Sequence, residues 1–179
     1  CGSTLANPIV SLELVKLFIT EFKADVTRRD DSGDQPIHKS AIAGCTDIIT
    51  ALVFDYGCDP LARGFKDTTL LHQALAKGHI ELAKVLIETF KVSIHSVNCD
   101  GNTPLHLSSI LRQEESTRLL LYEYHAPMFV RNKAGKTAVD LASDNITLIF
   151  KEYAISMHKI IQAEYQKLWS LSMQKYSGQ

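Results

Sequence analysis

The chain has 179 residues, 45% hydrophobic and 22% charged, with a formal net charge of −1. So even a charge balance supplies no global field to draw nucleic acid or an anionic membrane surface. No apolar run approaches the length of a bilayer span and no signal peptide opens the chain, so neither kind of partner is expected.

Residues 1–30 carry Leu14, Val15, Leu17, Phe18 and Phe22 at helical spacing, which predicts a helix ending before Ala24. From about Asp30 to Leu61, Pro36 starts a helix and Gly44 breaks it. Ile48, Ile49, Leu52 and Val53 then form the apolar face of a second helix. Residues 64–94 repeat this plan, with Leu70 at the Pro36 position and Gly78-His79 at the break. Residues 98–128 open on Thr103-Pro104-Leu105-His106 and carry Arg112-Gln113 at the break, which is therefore expected to be less sharp. Thr137-Ala138-Val139-Asp140 opens a fifth unit with a short first helix. From Asn145 onward Ile149, Tyr153, Met157, Ile160, Ile161, Leu168 and Leu171 recur at threes and fours between charged residues, predicting one long amphipathic helix. Beyond Met157 it outruns what a unit of this size can cover, so Trp169 and Tyr176 need another partner. Folding back and projecting onward both remain open for it.

Three columns keep a spacing of 34: His38, His72, His106 and Asp140; Phe22, Tyr56, Phe90 and Tyr124; Ala24, Cys58, Val92 and Ala126. Agreement of three registers marks an internal repeat. Thr103 can cap a helix through its hydroxyl, Pro104 suits the first helical position, and Gly101 supplies the positive φ of the turn before them.

A period near 34 carrying Thr-Pro-Leu-His resembles the ankyrin repeat family, and the resemblance covers roughly residues 1–150. It implies an all-α solenoid of about five hairpin–helix–turn–helix units, the first incomplete and the last a cap, followed by a C-terminal helix or linker over 145–179. In that family the motif histidine is a structural bridge between neighbouring repeats. Asp140 suits a final unit with nothing after it to bridge.

Site chemistry is sparse. His38, His72 and His106 with Cys45, Cys58 and Cys99 do not read as a zinc site: histidines one repeat apart are too distant for a shared ion with bonds of about 2 Å, and no Cys-x-x-Cys occurs. Gly135-Lys136-Thr137 copies the end of a phosphate loop, yet Val130 stands where its first Gly belongs. Asn145-Ile146-Thr147 matches a glycosylation triplet but reads as a helix start. No nucleophile, acid and base trio can be assembled, so no enzyme, cofactor or metal is expected. Cys58 lies in the small-residue column and Cys45 in a turn, which fits reduced thiols of a cytoplasmic or nuclear protein. Cys1 in place of an initiator Met reads as a segment excised from a larger protein.

What remains is a surface. The resemblance implies that partners bind the concave side, where hairpin tips and inner helices point. By register the candidate contacts are Arg29, Asp31, Ile42, Arg63, Phe65, Lys66, Lys77, Val97, Cys99, Ile110, Leu111, Phe129, Arg131 and Lys133. Apolar centres ringed by arginine are the material of binding hot spots. The expected partner is a protein or peptide, with self-association through the C-terminal helix also open. The alternative role is an intramolecular spacer or regulator of a multidomain protein: the tail resembles, without a diagnostic motif, the connector to the Ras-like domain of Roco-type GTPases.

Overall fold

A computed structural model describes residues 8–177, with side chains described over 12–167. Cys1 and Thr4 lie outside the described residues. So do the side chains of Leu168, Trp169, Leu171, Gln174 and Tyr176.

The architecture is an all-α ankyrin-type solenoid with a long C-terminal helix, and no strand occurs among the described residues. The outer helix of the first unit is α1 (Pro8–Thr20). The second unit holds α2 (Pro36–Ala43) inside and α3 (Thr46–Phe54) outside, and the third α4 (Leu70–Ala76) and α5 (Ile80–Glu88). In the fourth, α6 (Pro104–Ile110) precedes α7 (Glu114–Arg118), which runs on as a π-helical turn over Leu119–Glu123. Last comes α8 (Asp144–Ser177). Inner helices stack on inner helices, α2 against α4 against α6. The core between the rows is a continuous apolar seam in which Ile37, Leu52, Leu75, Leu86, Leu105 and Leu120 are at most 1% exposed. Helices of seven to nine residues are too short to stand alone in water, so it is this stacking that holds them.

The repeated polar columns weld the tiers. Thr69 Oγ1 lies 2.8 Å from His72 Nδ1, which also takes the Thr69 amide at 3.3 Å, and Thr103 with His106 copies this geometry. Because Nδ1 accepts, the proton sits on Nε2, and His72 donates it to the Asn102 carbonyl (3.0 Å) one repeat on. His106 reaches Lys136 in the same way, and His38 reaches Ala62. At the end of the series Asp140 accepts the Thr137 amide in the box of the last unit.

Four expectations need correction. The break in the fourth unit is as sharp as the others: Arg112 itself adopts φ 57° in the register of Gly44 and Gly78. The turn closes with the same bonds, Arg112 N–H to Ser109 O and Gln113 N–H to Ser108 O. The fifth unit has no inner helix; residues 138–142 form a turn closed by Ala142 N–H to Val139 O. Among the described side chains of α1, Leu12, Val15 and Ile19 face the core, while Leu14, Leu17 and Phe18 are about half exposed. Finally, Cys58 and Cys99 are free thiols, but Cys45 is disulfide-bonded.

The first turns of α8 take the outer-helix register of the fifth unit. Ile146, Ile149, Phe150 and Tyr153 are buried against α7 and the π turn, and Arg118 pairs with Glu152 at 3.0 Å, again 34 positions apart. Past Met157 the described side chains, 158–167, are all exposed: the helix does not fold back over the array there.

Candidate functional site

The concave side is built from four tips and the ends of three inner helices. Each tip closes with the same backbone pair: Asp30 N–H to Asp34 O, Gly64 N–H to Thr68 O, Asn98 N–H to Asn102 O and Asn132 N–H to Lys136 O, at 2.8 to 3.0 Å. In three tips the first side chain folds over its own turn. Asn98 Oδ1 takes the amides of Asp100 and Asn102, Asn132 Oδ1 those of Ala134 and Lys136, and Asp30 Oδ1 those of Ser32 and Asp34. Such Asx turns fix a loop without any partner. The face is thus ordered before anything binds.

Gly64 breaks the pattern. It offers no side chain to its own turn, and the buried Asp34 carboxylate of the preceding tip fills the space beside it, accepting the Phe65 amide at 2.7 Å. Asp34 also takes Gln73 Nε2 at 3.2 Å and the Lys39 ammonium at 2.9 Å. Burial opposes this charge, but the Phe65 amide and Lys39 outweigh burial and hold its pKa below the ordinary aspartate value.

The sequence-derived contacts divide by position. Ile42, Phe65 and Lys77 come together around an open groove of about 190 Å³ in the middle of the face, walled also by Ala76 and Leu107 with Asp34 and Gln73 among its polar residues. Phe65 is 49% exposed, with the Lys66 ammonium 5.6 Å from its ring centre. Val97, Ile110 and Leu111 are exposed on the same face in the fourth unit, and Cys99 ties its amide to Lys66 O of the neighbouring tip. Arg29 and Asp31 border a separate, wider depression at the N-terminal end with Asp25, Asp30 and Lys39. Phe129, Arg131 and Lys133 belong to the last tip and do not border the central groove.

The recurring arginines are partly occupied. Arg29 Nη1 donates to the carbonyls of Gly33 and Arg63, Arg63 Nη1 to those of Asp67 and Val97, and Arg131 Nη1 to that of Gly135. Sequence reasoning missed Asp34, Gln73 and Leu107. Gln73 and Leu107 share a 34-residue column with Lys39, which would have placed them on the concave side. Among the described residues no three His, Cys, Asp or Glu side chains gather as a metal site, and no helix is long and apolar enough to cross a membrane.

A family model described as ankyrin repeats (3 copies) matches residues 61–132. The ankyrin repeat-containing protein YAR1 of Saccharomyces cerevisiae is 36% identical over 102 residues, 52% of this chain and 51% of that protein. Protein phosphatase 1 regulatory subunit 12A of Mus musculus is 40% identical over 79 residues, 44% of this chain and 7% of that protein. NF-kappa-B inhibitor alpha of Rattus norvegicus is 39% identical over 80 residues, 42% of this chain and 25% of that protein. The similarity therefore spans about half of the yeast relative and far less of the other two. The matched ankyrin repeats occupy residues 61–132, and the same hydrogen-bonded unit continues on both sides of them.

Proposed function

We propose that the chain is a non-catalytic recognition module that holds a protein partner on its concave face. The observation that carries this reading is the set of pre-closed tips with apolar side chains, Phe65, Val97, Ile110 and Leu111, left 42 to 49% exposed among them. Ordering such residues before binding lowers the entropic cost of association, and large apolar groups on a rigid floor are what partners anchor to. The names of two relatives support it: one is a regulatory subunit of a phosphatase, the other an inhibitor of a second protein. Replacing Phe65 and Leu111 together by Glu tests the reading. Capture of a protein partner is expected to be lost while thermal unfolding stays nearly unchanged; capture that survives the double change refutes it.

A second reading rests on α8. Its last 20 residues extend about 30 Å beyond Met157, and the described side chains there are exposed. In this reading the array is a spacer or regulator inside a larger protein, with α8 as the connecting rod. Partner capture that depends on residues 158–179, and not on Phe65 or Leu111, favours it.

A further inference from the structure

The central groove has a volume of about 190 Å³, below the roughly 300 Å³ at which sites for whole small molecules begin. It is the size of one side chain. Its walls are apolar, from Ile42, Phe65, Ala76 and Leu107, and nearly all the polar capacity on its lining is already used. His72 donates to Asn102 and accepts from Thr69. Asp34 takes Phe65, Lys39 and Gln73, while Thr68 donates to the Phe65 carbonyl and accepts from Gln73.

One acceptor is left over. Gln73 is 8% exposed, and its Oε1 is buried with no hydrogen-bond partner. The amide cannot turn round to relieve this, because its Nε2 faces the charged oxygen of Asp34 at 3.2 Å. A buried carbonyl without a donor is destabilising, so the site stores affinity for a group that brings an N–H.

Electrostatics narrows the guest. Lys77 stands on the rim with its ammonium exposed, and the one carboxylate on the lining is spent, so an arginine or lysine meets repulsion without compensation. An anionic guest would oppose the Gln73 oxygen. A neutral aromatic suits both, since its ring face attracts the Lys77 ammonium and its edge can carry a donor. Taking the concave face as the docking surface, we propose that this groove receives a single tryptophan side chain of a protein partner. The ring lies against Ile42, Phe65 and Leu107, and the indole N–H is donated to Gln73 Oε1. Because that oxygen is closed off, admission of the guest requires a lining side chain to shift, while the Phe65 backbone stays pinned to Asp34.

The test is a titration of the folded chain with N-acetyltryptophanamide, followed by NMR of the Ile42 and Leu107 methyls and the Gln73 side-chain amide. Saturable shifts confined to these groups at millimolar probe are expected, with the 1-methylindole analogue and N-acetyltyrosinamide at least about fivefold weaker. Gln73→Met is expected to erase the difference between the indole and its methylated form. Ala76→Leu, which fills the groove without touching the Asp34 network, is expected to abolish the shifts. No saturable shifts, shifts elsewhere on the array, or equal binding by the methylated or tyrosine probe overturns the proposal. Should that happen while Phe65→Glu with Leu111→Glu still abolishes partner capture, only the tryptophan pocket falls. If the probe binds and capture survives the double change, the pocket stands and the concave-face reading falls.

Discussion

Asp34 accepts the backbone amide of Phe65 at 2.7 Å, across the boundary between two tiers and 31 residues along the chain. The two later boundaries are joined by backbone pairs instead, Cys99 N–H to Lys66 O and Lys133 N–H to Asp100 O. A buried side-chain charge thus does at one joint what the main chain does at the others. Replacing Asp34 with Asn leaves the Phe65 amide an acceptor but sets the new NH₂ against the Lys39 ammonium. A loss of about 1–3 kcal/mol in urea unfolding at pH 7 is expected. Since the folded pKa of Asp34 is lowered, its stabilisation is present above the usual value of 3.8 and fades as the pH falls below it.

The tip of the third unit separates local motif from local fit. Asp67 takes φ 60° where Gly33, Gly101 and Gly135 stand in the other tips, so Asp67→Gly is expected to stabilise by about 0.5–1 kcal/mol. Gly64→Asn would restore the Asn found in the tips of the fourth and fifth units, yet a Cβ there runs into the Asp34 carboxylate and the His38 ring. It is expected to destabilise by about 1–3 kcal/mol. Chemical unfolding of the two variants reads both signs.

Burial holds the His72 pKa down to about 4 and lowers those of His38 and His106 as well. The unfolded chain therefore binds protons that the folded chain refuses, and stability rises with pH through the window from about 4 to 6.5. For His72 alone this amounts to at most about 3 kcal/mol across that window. Thermal unfolding midpoints are expected to drop steadily between pH 7 and 4. His72→Leu, though less stable at pH 7, is expected to show a visibly shallower drop.

Two halves of α8 carry opposite expectations. Tyr153 is 8% exposed and meets the Tyr122 ring edge-on at 5.2 Å; Tyr153→Ala is expected to cost about 3 kcal/mol. Ile160→Ser and Ile161→Ser, on the uncovered length, are expected to change unfolding by less than about 0.5 kcal/mol.

The tier plan was legible in the sequence because it rests on contacts that recur at a fixed offset. The Thr69–His72 and Thr103–His106 boxes, the prolines that start α2 and α6, and the glycine at 44 all act within one unit or its neighbour. What escaped depends on particular partners. Nothing local to Arg112 announces that it will adopt a left-handed conformation; the tertiary packing of α6 on α7 imposes it. The turn at 138–142 replaces a helix whose neighbours on the far side are missing from the stack. In the groove, Asp34 and Gln73 meet across 39 residues, an offset outside the repeat, so the unpaired amide oxygen follows only from the assembled structure. Register alone named the candidate contacts one unit at a time; the grouping of Ile42, Phe65 and Lys77 around a central groove follows only from the packed tiers.

Hydrogen exchange on the chain with and without a captured protein partner tests the concave-face account most directly. The account predicts slowed exchange at the tip amides of 64–67 and 98–101 and along α4 and α6, with the outer helices α3, α5 and α7 unaffected. Protection confined to those outer helices, or to α8 beyond Met157, would contradict it.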